Sequence, residues 1–432
     1  MSKKNYVINK KRNPFFMIIK LGAILTIITL MIGLNNSIDT NNLCFANIIG
    51  IDKSDTIPSN LKITFQLITP KMESSNSVST DKSILTTIDE NSINLAVSTL
   101  QDYINSSINF SNTNAIIISE DVAREGVQRY ISNISSNLKF NSSMYILVCE
   151  GKASDFIKKL DENKSINSTS YFDILKNTER NSSSVKFINI TEFSNLLFTS
   201  NASPIAPLCK VISNEEKEEN NPEDNKSNNE NSSKNQDTNS PKIDSVIDIQ
   251  VGGMAIFKDE KMIGKLSYDE TAYCLMLTDG VNTYNTSLDE NILSDNANNN
   301  QSSSTNVSVT QTSKAKIKVD TKNDKPRIDI TVPLNIIVLD TPAGEYDYLD
   351  SNYISSIKKK VREVLDKRMQ NYIDKIQKEY NADINELYKY SRKNFLSVKE
   401  YYEYNFKEKF KDAKINVNLD ISFNDSGLNI EK

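Results

Sequence analysis

The sequence predicts a mixed α/β (α+β) protein with a multi-domain ectodomain after one apolar N-terminal helix. Three observations support this prediction. In the first half of the chain, short strand patterns such as LKITFQLIT (61–69) alternate with apolar residues at helical spacing. Residues 213–241 contain no aliphatic or aromatic side chain, which divides the chain in two. At 432 residues, the chain is also too long for one ordinary core.

The first element is the apolar segment 15–34, which follows a basic flank at 1–14. Its 20 residues are interrupted only by Lys20 and would cover the roughly 30 Å of a bilayer core as a helix. Residues 1–20 contain six basic residues and no acid, so the rest of the chain has a net charge of −11, against −5 for the whole chain. This asymmetry predicts a cytoplasmic N-terminus and an external ectodomain. We expect an uncleaved anchor; a cleaved signal peptide is the alternative, and a buried helix is the third interpretation.

Residues 43–211 are predicted to form an N-terminal α/β domain. Strand and helix patterns alternate along it, which indicates that some of its strands pair in parallel. The strand patterns lie at 45–52, 61–69, 115–119 and 144–150, and the helical patterns at 93–104, 122–134 and 156–160.

A disordered linker is expected at 212–244, before a C-terminal α/β domain at 245–432. This second domain should contain strands at 246–251 and 254–257, a helix beginning at Ser267, a polar insert at 295–306 and an edge or bulge at Pro333. A long amphipathic helix (352–380) and an alternating strand (415–423) follow.

Composition excludes several kinds of chemistry. The chain has no His, so imidazole bases and His-ligated metals are impossible. The acidic ectodomain argues against nucleic-acid binding, and no motif predicts a catalytic, cofactor or metal site. The four cysteines lie far apart and are expected to be buried free thiols, with a Cys149–Cys209 disulfide as the open alternative.

Two stretches are candidates for activity or binding. The acids Asp340, Glu345, Asp347 and Asp350 could supply a carboxylate pair for a hydrolase, although capping of the following helix is the favoured interpretation. The aromatic and basic residues of 388–411 are expected to serve mainly in core packing, with a partner or membrane-surface face as the alternative.

Three stretches of the sequence resemble the Ger(x)C (GerAC-like) family, the C subunits of nutrient germinant receptors in spore-forming bacteria. They are ANIIGIDKSD with LKITFQLITPK, then GGMAIFKDEKMIGKLSYDET, and finally QKEYNADINELYKYSRKNF with the last strand. Within them, the resemblance singles out the structural positions Gly50, Asp52, Gly253, Phe257, Gly264, Ser267, Glu270 and Asp383.

The resemblance also bears on the N-terminal segment. Family members usually carry a Cys that receives a lipid, preceded by Gly or Ala. The equivalent positions here are Gly33 and Leu34, so the acylated thiol is missing. We therefore expect the uncleaved helix to anchor the protein in place of a lipid.

The resemblance implies a non-enzymatic accessory subunit, with no cofactor, on the outer face of the spore inner membrane. Its implied partners are the integral membrane A and B subunits of the receptor, and direct germinant binding is left open. The alternative is a membrane-tethered, carboxylate-dependent hydrolase or a cell-wall binding protein.

Overall fold

The strand patterns of the first half build one sheet that continues into the second half. The computed structural model describes residues 20–26, 43–69, 82–104, 107–136, 140–163, 170–199, 201–212, 249–289, 304–340 and 351–423. The first sheet contains β1 (Leu43–Lys53), β2 (Leu61–Thr69), β3 (Lys82–Glu90), β4 (Ser107–Asn109), β5 (Ala115–Ser119), β6 (Tyr145–Glu150), β7 (Ile205–Val211), β8 (Ile249–Lys258) and β9 (Lys261–Leu266).

The order of this sheet is β3-β2-β1-β5-β6-β7-β8-β9, with β4 paired to β1. In the middle of this sheet, β1, β5, β6 and β7 run parallel to one another. The strand pairs at both ends of the sheet are antiparallel. The central β5 is AIIIS and is buried along its whole length, as parallel strands require. The predicted parallel pairing and the mixed α/β class are thus confirmed.

Helices connect these strands. They are α1 (Ile93–Tyr103), α2 (Glu120–Glu125), α3 (Gln128–Ser136), α4 (Ala153–Glu162), α5 (Tyr171–Ser182) and α6 (Ile190–Leu197). The single helical pattern at 122–134 forms two helices, because Gly126 takes a φ of +134° between them. A side chain rarely adopts this conformation, so glycine is suited to end α2 there.

The second sheet is smaller and lies entirely in the second half. Its strands are β10 (Tyr284–Asp289), β11 (Ser304–Gln311), β12 (Lys316–Asp320), β13 (Arg327–Asp340) and β14 (Lys414–Phe423). On one side, β13 pairs with β12 through residues 327–331 and then with β11; on its other side it pairs in parallel with β14. An edge or a bulge was expected at Pro333; instead, Pro333 lies inside the sheet, where the partner of β13 changes from β12 to β11.

The helices of the second half pack beside both sheets. They are α7 (Tyr268–Leu277), α8 (Ser351–Asp374), a π-helix (Lys375–Glu379), α9 (Tyr388–Ser391), a 3₁₀ turn (Arg392–Asn394), α10 (Val398–Tyr404) and α11 (Phe406–Phe410). The predicted long helix (352–380) corresponds to α8 together with the π-helix. Its apolar stripe is buried at Val361, Val364, Met369, Tyr372, Ile373 and Ile376. Helix α8 packs against β14 and α7.

The boundary between the halves differs from the expectation in its details. The strand predictions at 246–251 and 254–257 fall in one strand, β8, from residue 249 onwards, while 246–248 lie outside the described residues. Strand β8 pairs with β7 so that Val211 faces Ile249. Most of the predicted linker, 213–244, lies outside the described residues. Of the predicted insert 295–306, residues 304–306 begin β11, because they pair with β10; residues 295–303 lie outside the description.

The N-terminal 43 residues and residues 44–432 form separate units. Only 20–26 of the predicted membrane segment is described, as an exposed helical stretch, so the prediction for 15–34 falls mainly outside the description. No helix within the described ranges is long and apolar enough to cross a membrane.

The four cysteines are buried and free. Cys149 in β6 and Cys209 in β7 are register partners, which brings together two residues separated by 60 positions in the sequence.

Candidate functional site

The eight positions singled out by the family resemblance fall into three clusters, at the end of β1, around β8, β9 and α7, and just after the π-helix. In the first cluster, Asp52 accepts hydrogen bonds from the backbone N–H groups of Ala153 (2.6 Å) and Ser154 (2.9 Å). Helix α4 has no cap from its own N-cap residue, Lys152. Asp52 therefore caps the helix from a neighbouring strand.

Gly50 lets the same helix approach the sheet. A Cβ atom at this position would lie 2.7 Å from Cδ1 of Ile157 in α4. The pKa of the nearby Asp52 is raised because burial disfavours its charged form, although the hydrogen bonds from the two amides lower the pKa. Gly50 and Asp52 together fix α4 against β1.

The third cluster repeats the carboxylate arrangement. Asp383 accepts hydrogen bonds from the N–H groups of Leu387 (2.9 Å) and Tyr388 (2.8 Å), at the start of α9. Burial raises its pKa to about 7, despite the two donors. Asp383 therefore holds the turn that leads into α9.

The second cluster begins in β8. Gly253 has a φ of +77°, and a Cβ atom there would lie 2.6 Å from the carbonyl oxygen of Leu266. Phe257 is fully buried and packs edge-on against Phe193, with the ring centres 5.1 Å apart. These two residues fix β8 between β9 and α6.

The same cluster also joins the first sheet to the end of α8. Ser267 and Glu270 form the predicted capping box at the start of α7. The Glu270 carboxylate also accepts hydrogen bonds from Nζ of Lys375, at 2.7 and 2.8 Å. Gly264 in β9 has no Cβ, and the position that a Cβ would take is 2.3 Å from Cζ of Tyr380. We call these five residues the junction.

Lys265, beside the junction, lies between two carboxylates. Its Nζ is 2.7 Å from Glu120 and 2.6 Å from Glu150. Burial lowers the pKa of Lys265, but hydrogen bonds and charge from both carboxylates outweigh that effect, so the pKa is raised. This network ties β9 to α2 and β6.

A cavity of about 340 Å³ lies at the junction. Gly253, Ser267 and Glu270 line it together with Glu150, Lys265, Tyr268 and Lys375. The fold therefore brings three of the eight positions to one cavity wall. Gly50, Asp52, Phe257, Gly264 and Asp383 do not line it, because they act in packing and capping.

A larger cavity, of about 730 Å³, was not predicted. It is lined by the ion pairs Lys176–Glu179, Lys186–Asp279 and Lys389–Glu386, among other residues. These charges come from segments far apart in the sequence, so no local pattern identifies them.

Neither of these two cavities is lined by a described carboxyl group whose pKa is raised. Among the residues that the structure describes, the carboxyl groups with a raised pKa are Asp52, Asp366 and Asp383, and none of them lines either of these two cavities. Of the candidate acidic stretch 340–350, only the backbone of Asp340 is described, as the end of β13. The lipid-acceptor positions Gly33 and Leu34 also lie outside the described residues.

The aromatic stretch 388–411 divides between core and surface. Tyr388, Tyr401, Phe406 and Phe410 are buried, which agrees with the favoured core interpretation. Leu396, Val398 and Tyr402 are exposed.

Comparison with known proteins identifies the family. Residues 36–211 match the spore germination protein N-terminal domain, and residues 252–427 match the spore germination B3/GerAC-like C-terminal domain. The chain belongs to the GerAC-like family of spore germination proteins. In this GerAC-like chain, the N-terminal match ends with β7 and the C-terminal match begins within β8, so the two family regions meet in one sheet.

A solved structure is also similar to this GerAC-like protein. The crystal structure of the GerBC protein shares 16% sequence identity and covers 87% of this chain and 96% of that chain, with a TM-score of 0.48. Nothing among the curated proteins matches the chain.

Proposed function

We propose that this protein is the accessory C subunit of a spore nutrient germinant receptor and acts by binding and assembly. The observation that carries this proposal is the pair of family matches, which occur in order at 36–211 and 252–427. The proposed partners are the integral membrane A and B subunits. The proposed location is the outer face of the spore inner membrane.

The roles of the motif positions support assembly rather than catalysis. Gly50, Gly253 and Gly264 permit close packing, while Asp52 and Asp383 satisfy backbone amides. Each of these groups is engaged within the fold, so their arrangement favours a rigid scaffold that presents its surface to partners.

We further propose that residues 15–34 anchor the protein without a lipid. A single acyl chain binds membranes only marginally, whereas a spanning helix is effectively permanent. The absence of a Cys at Leu34 therefore need not prevent attachment. Recovery of the ectodomain in the soluble fraction of spores would contradict this anchor.

The receptor role can be tested by measuring dipicolinate release from spores that lack the gene, across a panel of amino acids, sugars and salts. We expect loss of the response to one germinant class, restored by the wild-type gene. Complementation with the Leu34→Cys gene, which restores the lipid-acceptor thiol, is the matched control for lipidation. Equal rescue by the wild-type gene and the Leu34→Cys gene would support anchoring without a lipid. Unchanged release with every germinant would count against the receptor role.

A further inference from the structure

Residues 390–402, which we call the tip, expose several large apolar side chains together. The tip comprises the end of α9, the 3₁₀ turn and most of α10. Leu396 is 99% exposed, Val398 60% and Tyr402 59%, with Tyr390 at 38%. Isolated exposed leucines are common, but four exposed large apolar side chains within 13 residues need a physical explanation.

The tip is held in shape by hydrogen bonds at its base. Asn394 donates a side-chain hydrogen bond to the carbonyl of Val319 in β12 (2.8 Å). The Glu400 carboxylate accepts a hydrogen bond from the N–H of Leu396 (3.2 Å), and Ser397 caps α10. The backbone at Leu396 is therefore fixed while its side chain points into solvent.

Cations lie between these apolar side chains along the chain. Arg392, Lys393 and Lys399 are all exposed, and the tip contains only one acid, Glu400. Within the part of the chain that the structure describes, neither Arg392 nor Lys393 forms an ion pair, whereas Lys399 pairs with Glu403, just outside the tip, at 3.7 Å. The tip thus carries a charge of +2 on a chain whose net charge is −5.

This combination suits a bilayer better than a folded partner. A stable protein interface buries about 800 Å² on each side, which generally requires 20 or more residues. A membrane surface, in contrast, accepts a few protruding apolar side chains and attracts nearby cations through its anionic headgroups.

We propose that the tip docks on the surface of an anionic lipid bilayer, with Leu396 and Val398 entering the headgroup region. Arg392, Lys393 and Lys399 select anionic lipid, and each contributes about fivefold to the docking equilibrium. This contact is separate from the N-terminal segment and from the receptor role, because it requires only the lipid.

The test places an environment-sensitive fluorophore at the tip of the full-length protein in vesicles. The four native cysteines are buried, so the variant Leu396→Cys can be labelled selectively. Tyr103→Cys is the matched control, because Tyr103 is 83% exposed on α1, outside the tip. Lipid-borne quenchers should quench the label at 396, but not that at 103, in vesicles rich in phosphatidylglycerol.

Charge is tested in the labelled Leu396→Cys background. The triple substitution Arg392→Gln, Lys393→Gln and Lys399→Gln should lower the docking equilibrium by about 100-fold and abolish the preference for phosphatidylglycerol over phosphatidylcholine. Three exposed lysines outside the tip, Lys158, Lys261 and Lys359, provide a control triple with the same change in net charge. The control should leave the quenching unchanged.

Three results would overturn the proposal. One is an unquenched label at 396 while the protein floats with anionic vesicles. Another is equal quenching in anionic and neutral vesicles, since it would remove the role of the cations. In the third, a co-purified protein shields the label at 396 in the absence of lipid, and lipid-borne quenchers do not quench it in vesicles. That result would assign the tip to a protein partner.

Discussion

At the scale of single residues, Asp52 and Asp383 perform the same task at two distant places. Each buried carboxylate accepts hydrogen bonds from two successive backbone N–H groups at the start of a helix. Those amides lack partners within their own helix, and a buried amide left unsatisfied costs about 1–3 kcal/mol. The two carboxylates therefore fix local structure, which accounts for their burial without invoking catalysis.

Asp383 should make stability depend on pH. Its pKa is about 7 in the folded protein and about 4 when unfolded. Between these values the folded state binds the extra proton, so the free energy of unfolding should decrease by about 1 kcal/mol per pH unit as pH rises from 4 to 7. Urea titrations at several pH values should show this slope in the wild type and its loss in Asp383→Asn. Asp324→Asn, at an exposed site, is the control and should retain the slope.

Gly253 should tolerate no side chain. Gly253→Ala places a Cβ against the backbone oxygen of Leu266 and also forces alanine to a φ of +77°, so we expect a loss of about 3 kcal/mol in the free energy of unfolding. Gly280→Ala is the matched control, since its φ is +93° but the nearest atom is 3.7 Å away. It should cost only about 1 kcal/mol in thermal unfolding. Equal losses would mean that Leu266 moves aside.

At the scale of elements, the junction connects β9, the start of α7 and the π-helix at the end of α8. Ser267 and Glu270 begin α7, while Lys375 opens the π-helix that follows α8. Within that π-helix, Gln377 is buried and donates hydrogen bonds to the carbonyls of Phe410 (3.0 Å) and Ala413 (2.6 Å). The change from α- to π-helix thus coincides with contacts to both the first sheet and the segment before β14.

The Glu270–Lys375 pair should be energetically coupled. Both side chains are 25% exposed, so solvent screens this pair less than a surface pair. A double-mutant cycle with Glu270→Gln and Lys375→Met should give a coupling of about 1 kcal/mol in the free energy of unfolding. The exposed pair Lys359–Glu363, with the corresponding substitutions, should give less than about 0.5 kcal/mol. Equal coupling in the two cycles would show that the junction pair has no special role.

At the scale of the whole molecule, the two family regions share one sheet and one core within residues 44–423. Strand β7 closes the N-terminal region, and β8 from the C-terminal region pairs with it. Buried apolar side chains from both sheets belong to a single continuous cluster. We therefore expect residues 44–423 to unfold cooperatively.

The segment between β7 and β8 should be dispensable for stability. Val211 and Ile249 are direct register partners, so the chain leaves and re-enters the sheet at adjacent positions. Replacing 214–246 with a four-residue Gly-Ser turn shortens the connection, which lowers the entropy cost of closing it by up to about 2 kcal/mol. Chemical denaturation should show unchanged or greater stability. A loss of several kcal/mol would show that the segment contributes contacts to the fold.

The sequence by itself determined most of the elements. Apolar alternation defined β2 and β14, helical spacing defined α1 and α8, and Ser267 with Glu270 marked the start of α7. These features depend on residues a few positions apart, because strand and helix periodicities and caps are local properties. Three resembling stretches also led to the family.

Only the tertiary structure decided which of these elements meet. Nothing in the sequence predicts that Asp52 caps α4 across 101 positions, that Tyr380 fills the space at Gly264, or that β8 pairs with β7. The cavity charges and the exposure of Leu396 are equally hidden, since both depend on how distant segments pack. Long-range packing is set by the whole core at once, so a local pattern can specify an element without specifying its neighbours.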